Sequence, residues 1–386
     1  MRTLKIAYVS VDDPMDRRTW SGTNFHLAKA LQEAGHELVP IGPLRPQPLL
    51  FLLRVFNQLL LRTAGKRFHY RDSFILSRAY ARMLRKRIEG KGFDLIVAPA
   101  GLSVIALFRT EVPIIYINDR CLAGAMDYHA ILRDLLPCSR AQSLELERRA
   151  LGQATLSVLT SPWASDAAKK AAPGYANRVR TIPMGANLES VPEMDLERVA
   201  PSDPLTLLFV GVHWENKGGP TAVAALQELK RMGHRARLVV CGCDPPEDVS
   251  DTDVLRRGFL DKNVPEERDQ LAREFASADL FILPTKFEAY GIVFCEAAAF
   301  GLPAFGPRTG GVPSIINHEV TGILLDPQAS GATYAKSIDA LIRDPERWWR
   351  MRHAARERYL EDFTWTAFAS KLMAYFEEVS SVSKPR

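Results

Sequence analysis

In the stretch TKFEAYGIVFCEAAAFGLP, residues 285–303, Glu288 and Glu296 stand eight positions apart across the change from an apolar strand to an alanine-rich helix. The strand, placed within 278–284, runs through Leu280, Phe281, Ile282 and Leu283 without alternation, the pattern of a parallel strand buried on both faces. In open α/β sheets ligands bind beyond the carboxyl ends of such strands, which puts Glu288 where a ligand sits. Glu296 falls in the first turns of the following helix, where a carboxylate can accept from a pair of sugar hydroxyls as an acid does from ribose in dinucleotide-binding folds. One acid would then face a reacting sugar and the other a ribose. The plainer alternative is a solvated loop acid and a helix acid favoured by the macrodipole.

A second junction of the same kind lies upstream, LLFVGVHWENKGGPTAVAALQELKRMG at 207–233. Gly218 and Gly219 permit close backbone approach, Pro220 suits a first helical position, and free N–H groups at the helix start would form an anion site beside Lys217. The spacing G-x-x-x-x-G-K-[S/T] is absent, so the expected ligand is a diphosphate held by a lysine without obligatory magnesium. An ordinary turn with a solvent lysine is the alternative for these residues alone.

Together these residues resemble the retaining nucleotide-sugar glycosyltransferases of family 4. The pair Glu288 and Glu296 matches the E-x7-E pattern of that family, and FVG at 209–211, GFLDK at 258–262, PMGAN at 183–187 and GLPAFGPRTGGVPSII at 301–316 match along the chain. The resemblance implies the GT-B architecture, an α/β fold of two Rossmann-like doubly wound parallel-sheet domains facing a central cleft. It implies that Glu288 looks toward the donor sugar, that Glu296 binds the nucleotide ribose and that Lys217 neutralises the leaving diphosphate. Further donor contacts carried over are Gly22, Thr23, Gly211, His213, Gly258, Phe259, Leu260, Tyr290, Gly291 and Ile292. No metal and no other cofactor is expected, the nucleotide-diphosphate sugar being a substrate.

Three departures stand out. Where many relatives carry an arginine after the glycine of FVG, this chain has Val212 and His213. The glycine pair that approaches the diphosphate is here Ser21-Gly22-Thr23, and the strand PIIYIN at 113–118 is followed by Asp119 where many relatives place a histidine. Asp119 is the positional match and the third catalytic candidate. The resemblance implies that the acceptor hydroxyl attacks from the face the phosphate leaves, with a phosphate oxygen taking the proton. The acceptor would be a saccharide, a lipid-linked molecule or a small molecule, in cell-surface polysaccharide, glycolipid or glycoconjugate synthesis. The alternatives are a sugar-nucleotide epimerase or phosphorylase of the same architecture, or a non-catalytic nucleotide-sugar-binding protein.

A length of 386 residues suits two domains, and 47% hydrophobic residues can fill both cores. The net charge of +5 favours anionic ligands, but no zinc-finger spacing or RNA-binding signature accompanies it, so nucleic acid is not an expected partner. Five cysteines without a framework read as reduced, mostly buried thiols, and the amino terminus enters a strand at once without a signal-peptide core, so a cytoplasmic location is expected.

Strands are expected at 4–10, 36–41, 94–98, 114–118, 157–161 and 180–182 in a first domain, with a helix at 23–34 closed by Gly35. The proline-bearing acidic stretch 188–204 reads as a linker. A second domain follows with strands at 205–210, 236–241, 254–258, 280–283, 303–305 and 322–325. The domain boundaries are thus 1–187, joined by a terminal helix at about 365–386, as the acceptor side, and 188–364 as the nucleotide-sugar side; the return of the terminal helix is implied by the resemblance alone.

The segment 46–91 departs from an ordinary Rossmann domain. PLLFLLRVFNQLLL at 48–61 is apolar but too short to span a bilayer, and from Arg54 to Lys91 eleven Lys or Arg face only Asp72 and Glu89, with Phe68, Tyr70, Phe74 and Tyr80 interleaved. Such a segment can lie on an anionic membrane surface, at the inner face of the membrane, or bind a lipid-phosphate acceptor; the alternative is a core helix followed by a solvated one. Asp251-Thr252-Asp253 reads as a solvated turn and not a metal motif, Asp12-Asp13 as cleft or loop acids, and His26, His36 and His129 as lone histidines. G-x-S-x-G is absent, which leaves hydrolase chemistry unsupported.

Overall fold

The computed structural model describes residues 2–128, 130–191 and 198–382, so His129 and part of the expected linker lie outside the described residues. The chain forms two compact units, Met1–Pro183 with Phe368–Arg386, and Met184–Ala367.

The first unit is built on six parallel strands, β1 (Lys5–Val9), β2 (Glu37–Ile41), β3 (Leu95–Pro99), β4 (Ile114–Asn118), β5 (Leu156–Leu159) and β6 (Val179–Thr181), in the order β2-β1-β3-β4-β5-β6. The apolar runs of β3 and β4 are buried at every position, as a sheet covered by helices on both faces requires. The helix Thr23–Glu33 ends at Gly35, which takes φ +89 with open space around it. His36, buried, then turns the chain into β2, its Nδ1 accepting the Leu4 N–H at 3.3 Å. The helix Trp365–Val382 straddles the division between the units, and Glu378 on it pairs with Arg180 of β6 at 2.9 Å within the first unit.

The second unit carries β7 (Leu205–Val210), β8 (Ala236–Cys241), β9 (Val254–Arg256), β10 (Leu280–Ile282), β11 (Ala304–Pro307) and β12 (Gly322–Leu325), all parallel, in the order β12-β11-β10-β7-β8-β9. Each unit is therefore a Rossmann-like doubly wound sheet. The order reverses between β1 and β3 in the first and between β7 and β10 in the second, and crevices beyond the strand ends at such reversals are where ligands bind. Asp251 and Asp253 both clamp Lys230, at 3.0 and 2.5 Å, which gives this acidic turn a structural partner.

The segment 46–91 reverses the expectation of a core helix followed by a solvated one. In the helix Gln47–Ala64 the fully buried residue is Leu53, while Phe51, Leu52, Val55, Phe56 and Leu59 are exposed. The basic helix Phe74–Ile88 is the one that enters the core, through Leu76, Tyr80, Leu84 and Ile88 at four-residue spacing. Its stripe satisfies the sheet face, and its arginines occupy the opposite side. Among the described residues, no helix is long and apolar enough to cross a membrane.

Candidate functional site

At the reversal of the second sheet, β7 ends at Val210 and the chain turns at Gly211. A Cβ at Gly211 would stand 2.8 Å from Lys217 Cγ, so the absent side chain is what allows the lysine stem to fold back over the strand end. The turn that follows closes on itself: Lys217 N–H donates to the His213 carbonyl at 2.9 Å, Gly218 N–H to Glu215 at 3.3 Å and Gly219 N–H to Trp214 at 2.9 Å. Because these amides are spent inside the turn and Pro220 has none, Lys217, Gly218 and Gly219 do not form the cradle of free amides expected here. Gly218 sits at φ +80, and a Cβ there would fall 1.9 Å from the Pro284 carbonyl oxygen. The buried Trp214 ring lies under the turn, 2.2 Å from where a Cβ of Gly219 would be.

From the other side, the loop after β10 is stitched to this turn. Lys286 N–H and the Thr285 hydroxyl both reach the Asn216 carbonyl, at 2.9 and 3.2 Å. The stitch brings Glu288 to Lys217, with Oε2 and Nζ 2.5 Å apart and both side chains largely covered. Gly291, at φ +96, leaves room for Glu288, whose Cγ would otherwise meet a Cβ at 3.1 Å. Gly291 caps the helix Ile292–Ala299 without any side-chain cap, and the Phe294 N–H donates to the Gly291 carbonyl at 2.8 Å, which leaves the helix start without a side chain in front of its first amides.

Glu296 lies on that helix and is 2% exposed, with Oε1 held by Lys262 Nζ at 2.6 Å. Lys262 closes the segment of Gly258, Phe259 and Leu260. Gly258, at φ +66, accepts the Gly242 N–H at 2.7 Å, and Phe259 projects outward, 56% exposed. Lys262 Nζ also stands 3.5 Å from the Asn187 carbonyl. Tyr290 turns inward: it is buried, with its hydroxyl on the Met184 carbonyl at 3.1 Å, so its side chain anchors the loop and only its backbone is offered to a ligand. His213 is exposed and contributes its carbonyl to the turn.

The remaining candidates stand in the first unit. Gly22, at φ +94, is the N-cap of the helix Thr23–Glu33, and Thr23 is buried. Asp119 follows β4, and its Oδ2 accepts the Trp20 indole N–H at 3.1 Å. A cavity of about 590 Å³ opens at the reversal of this sheet, bordered by Ser10 and Asp12 after β1, Pro99 and Ala100 at the end of β3, and Asn118 and Asp119 at the end of β4. Trp20, Ser21 and Ala100 all take positive φ, three of the four such non-glycine residues among the described residues, and all sit on or beside this cavity. Strained backbone of this kind concentrates where a surface is shaped for a ligand.

The structure thus joins Gly211, Lys217, Glu288 and Gly291 in one constellation and Glu296 with the 258–262 segment in a neighbouring one, both in the second unit. The role of Lys262 as the partner of Glu296 is not evident from the sequence, where the lysine that closes GFLDK is the available signal. Trp20 and Trp214, which hold Asp119 and the Lys217 turn, carry no signal of their own in the sequence.

Residues 192–358 match the family Glycosyl transferases group 1, and residues 23–190 match Glycosyltransferase Family 4. A D-inositol 3-phosphate glycosyltransferase of Corynebacterium efficiens is 30% identical over 185 residues, which cover 45% of this chain and 42% of that protein, less than half the relative's own length. Among solved structures, sucrose-phosphate synthase from Thermosynechococcus elongatus superposes with a TM-score of 0.64 at 19% identity, covering 99% of this chain and 100% of that one. Anabaena HepE in complex with UDP and glucose gives a TM-score of 0.64 at 16% identity, covering 98% and 100%. At these identities the structural likeness speaks for the GT-B fold.

Proposed function

This chain belongs to the family-4 glycosyltransferases, and we propose that it moves a sugar from a nucleoside-diphosphate donor to a hydroxyl acceptor with retention of anomeric configuration. The observation that carries the reading is the pair of acid–lysine contacts beyond β7 and β10, Glu288 with Lys217 and Glu296 with Lys262. Each pair holds a carboxylate in place and can exchange that contact for a ligand group of opposite or complementary character.

In this account Lys217 meets the charge that develops on the departing diphosphate, the largest demand of the reaction, and the uncapped start of the helix Ile292–Ala299 supplies amides to the same phosphates. Glu288 accepts hydrogen bonds from hydroxyls of the donor sugar. Glu296, oriented by Lys262, accepts from the ribose hydroxyls. The C–O bond to the diphosphate breaks as the acceptor oxygen bonds to the anomeric carbon on the same face, and the hydroxyl proton passes to a departing phosphate oxygen. Asp119, fixed by Trp20, positions the acceptor in the first unit.

Nucleoside-diphosphate release from UDP-, GDP-, ADP- and dTDP-sugars, with and without acceptors, tests the reading. Lys217→Ala and Glu288→Ala are expected to lower transfer by about 10²–10³-fold, the usual cost of removing one charge-stabilising contact. Transfer at the wild-type rate by both variants refutes it. A new sugar nucleotide or sugar phosphate formed without acceptor marks an epimerase or phosphorylase instead.

We further infer that the helix Gln47–Ala64 rests on an anionic lipid surface. Phe51, Leu52, Val55, Phe56 and Leu59 share one outward face, from 47% exposed at Phe56 to 66% at Phe51, and Arg54, Arg62 and Lys66 flank it with charge complementary to anionic lipid. Flotation with phosphatidylglycerol-containing vesicles, reduced in a Phe51→Asp, Leu52→Asp variant, is expected; failure of the wild type to float refutes the inference.

A further inference from the structure

We propose that the arginine-lined recess around Tyr70 in the first unit binds a phosphoryl group carried by the acceptor. The proposal rests on the glycosyltransferase reading and names the substrate class that reading leaves open.

The cavity of about 590 Å³ at the reversal of the first sheet continues into two smaller recesses of about 420 and 310 Å³, and Tyr70 borders all three. Arg54 and Arg71 each border two of them, and so does Arg120. Each is within the ordinary size of a small-molecule site, and the largest offers room for a phosphorylated sugar or a lipid headgroup.

The cationic part is a smaller recess. The walls of the cavity of about 590 Å³ carry Arg45, Arg54, Arg71 and Arg120 against Asp12, Asp72 and Asp119, with Asp12 paired to Arg45 at 3.2 Å, whereas the recess of about 420 Å³ carries Arg67, Arg71 and Arg120 and no carboxylate. Arg54, Arg71 and Arg120 have no ion pair among the described residues. Three guanidinium groups gathered around one recess repel one another, and an anion placed among them relieves the repulsion while accepting directed N–H bonds in the planar geometry that phosphate fits.

The titrating groups between them respond to that field. Burial raises the Tyr70 phenol, yet hydrogen bonds from Arg71 and Arg54, with their charge, outweigh it and hold the phenol below the usual tyrosine range. Burial lowers His69; Asp72 opposes this, and the charges of Arg120 and Arg71 reinforce it. Tyr80 lies deeper, pushed up to about 12 chiefly by burial, with Arg71 opposing and Asp12, Asp72 and Tyr70 reinforcing.

The test works in a Lys217→Ala background, so that phosphate at the donor site does not contribute. Binding of glucose 6-phosphate is followed by calorimetry, and binding to phosphatidylcholine vesicles with and without phosphatidic acid by flotation, for the parent and for an Arg71→Gln, Arg120→Gln variant. Loss of two charge-assisted contacts is expected to weaken phosphate binding by at least roughly tenfold. Arginine-dependent binding of glucose 6-phosphate supports the proposal with a free phosphate ester as source; arginine-dependent binding to phosphatidic acid alone supports it with a lipid headgroup. Absence of binding to both probes, or binding that the variant leaves unchanged, overturns it. Nucleoside-diphosphate binding by the Arg71→Gln, Arg120→Gln variant carrying native Lys217 reports whether the fold and the glycosyltransferase reading stand apart from that outcome.

Discussion

Gly218→Ala is the sharpest local test of how the Lys217 turn is held. At φ +80 an L-residue costs about 1–2 kcal/mol more than glycine. The new methyl would also lie 1.9 Å from the Pro284 carbonyl oxygen, against an ordinary carbon–oxygen contact of about 3.3 Å. The obstacle is backbone, tied to the turn through Lys286 and Asn216, so relief requires the loop to move, at a further cost of about 1–3 kcal/mol. Gly233→Ala supplies the matched control, because Gly233 takes φ +94 and a Cβ there meets nothing within 4 Å. Urea denaturation should therefore show a loss of about 1 kcal/mol for Gly233→Ala, after the gain from a stiffer unfolded chain, and about 2–4 kcal/mol for Gly218→Ala. Protection by a nucleoside diphosphate should persist in the first and disappear in the second, since only the Gly218 turn carries Lys217. Equal losses in the two variants would refute the claim that the turn is pressed against the Pro284 loop.

Two further outcomes follow from buried charge. Lys262→Met leaves the Glu296 carboxylate buried without its partner, and should cost about 3–5 kcal/mol in denaturant unfolding, most of which a Lys262→Met, Glu296→Gln double variant recovers; a double variant no more stable than the single one would contradict the pairing. His36 is held below the ordinary histidine range first by burial and then by the charge of the amino terminus, with Nδ1 accepting from Leu4. Its folded form binds fewer protons than the unfolded chain, so stability present above about pH 6.5 falls as the pH drops below it. Urea midpoints measured between pH 7.5 and 5 should decline less steeply for His36→Gln than for the parent, and parallel slopes would remove His36 from the account.

The strands were legible because a doubly covered parallel sheet demands unbroken apolar runs, as in IIYIN of β4 and LTLLFV of β7. Glycines at strand ends located the turns for the same reason: at Gly218 and Gly291 no other residue fits the backbone. The helix Gln47–Ala64 misled because its apolar face looks like a core stripe, and composition cannot say whether such a face meets the core or solvent. The helix Phe74–Ile88 shows the converse, its core stripe hidden among arginines although Leu76, Tyr80, Leu84 and Ile88 recur every fourth residue. Hidden altogether were contacts made across long stretches of sequence, such as Trp20 with Asp119 and Lys262 with Glu296, since no local periodicity encodes them.

The central claim is that the acid–lysine pairs of the second unit form a nucleotide-sugar site. It is tested most directly by thermal shift of the parent and of Glu296→Ala with UDP, GDP, ADP and dTDP, because a ligand of the native state raises its melting temperature by mass action. The account predicts a rise with one of these nucleotides that Glu296→Ala abolishes. A panel without any rise, or a rise that survives unchanged in Glu296→Ala, would contradict it.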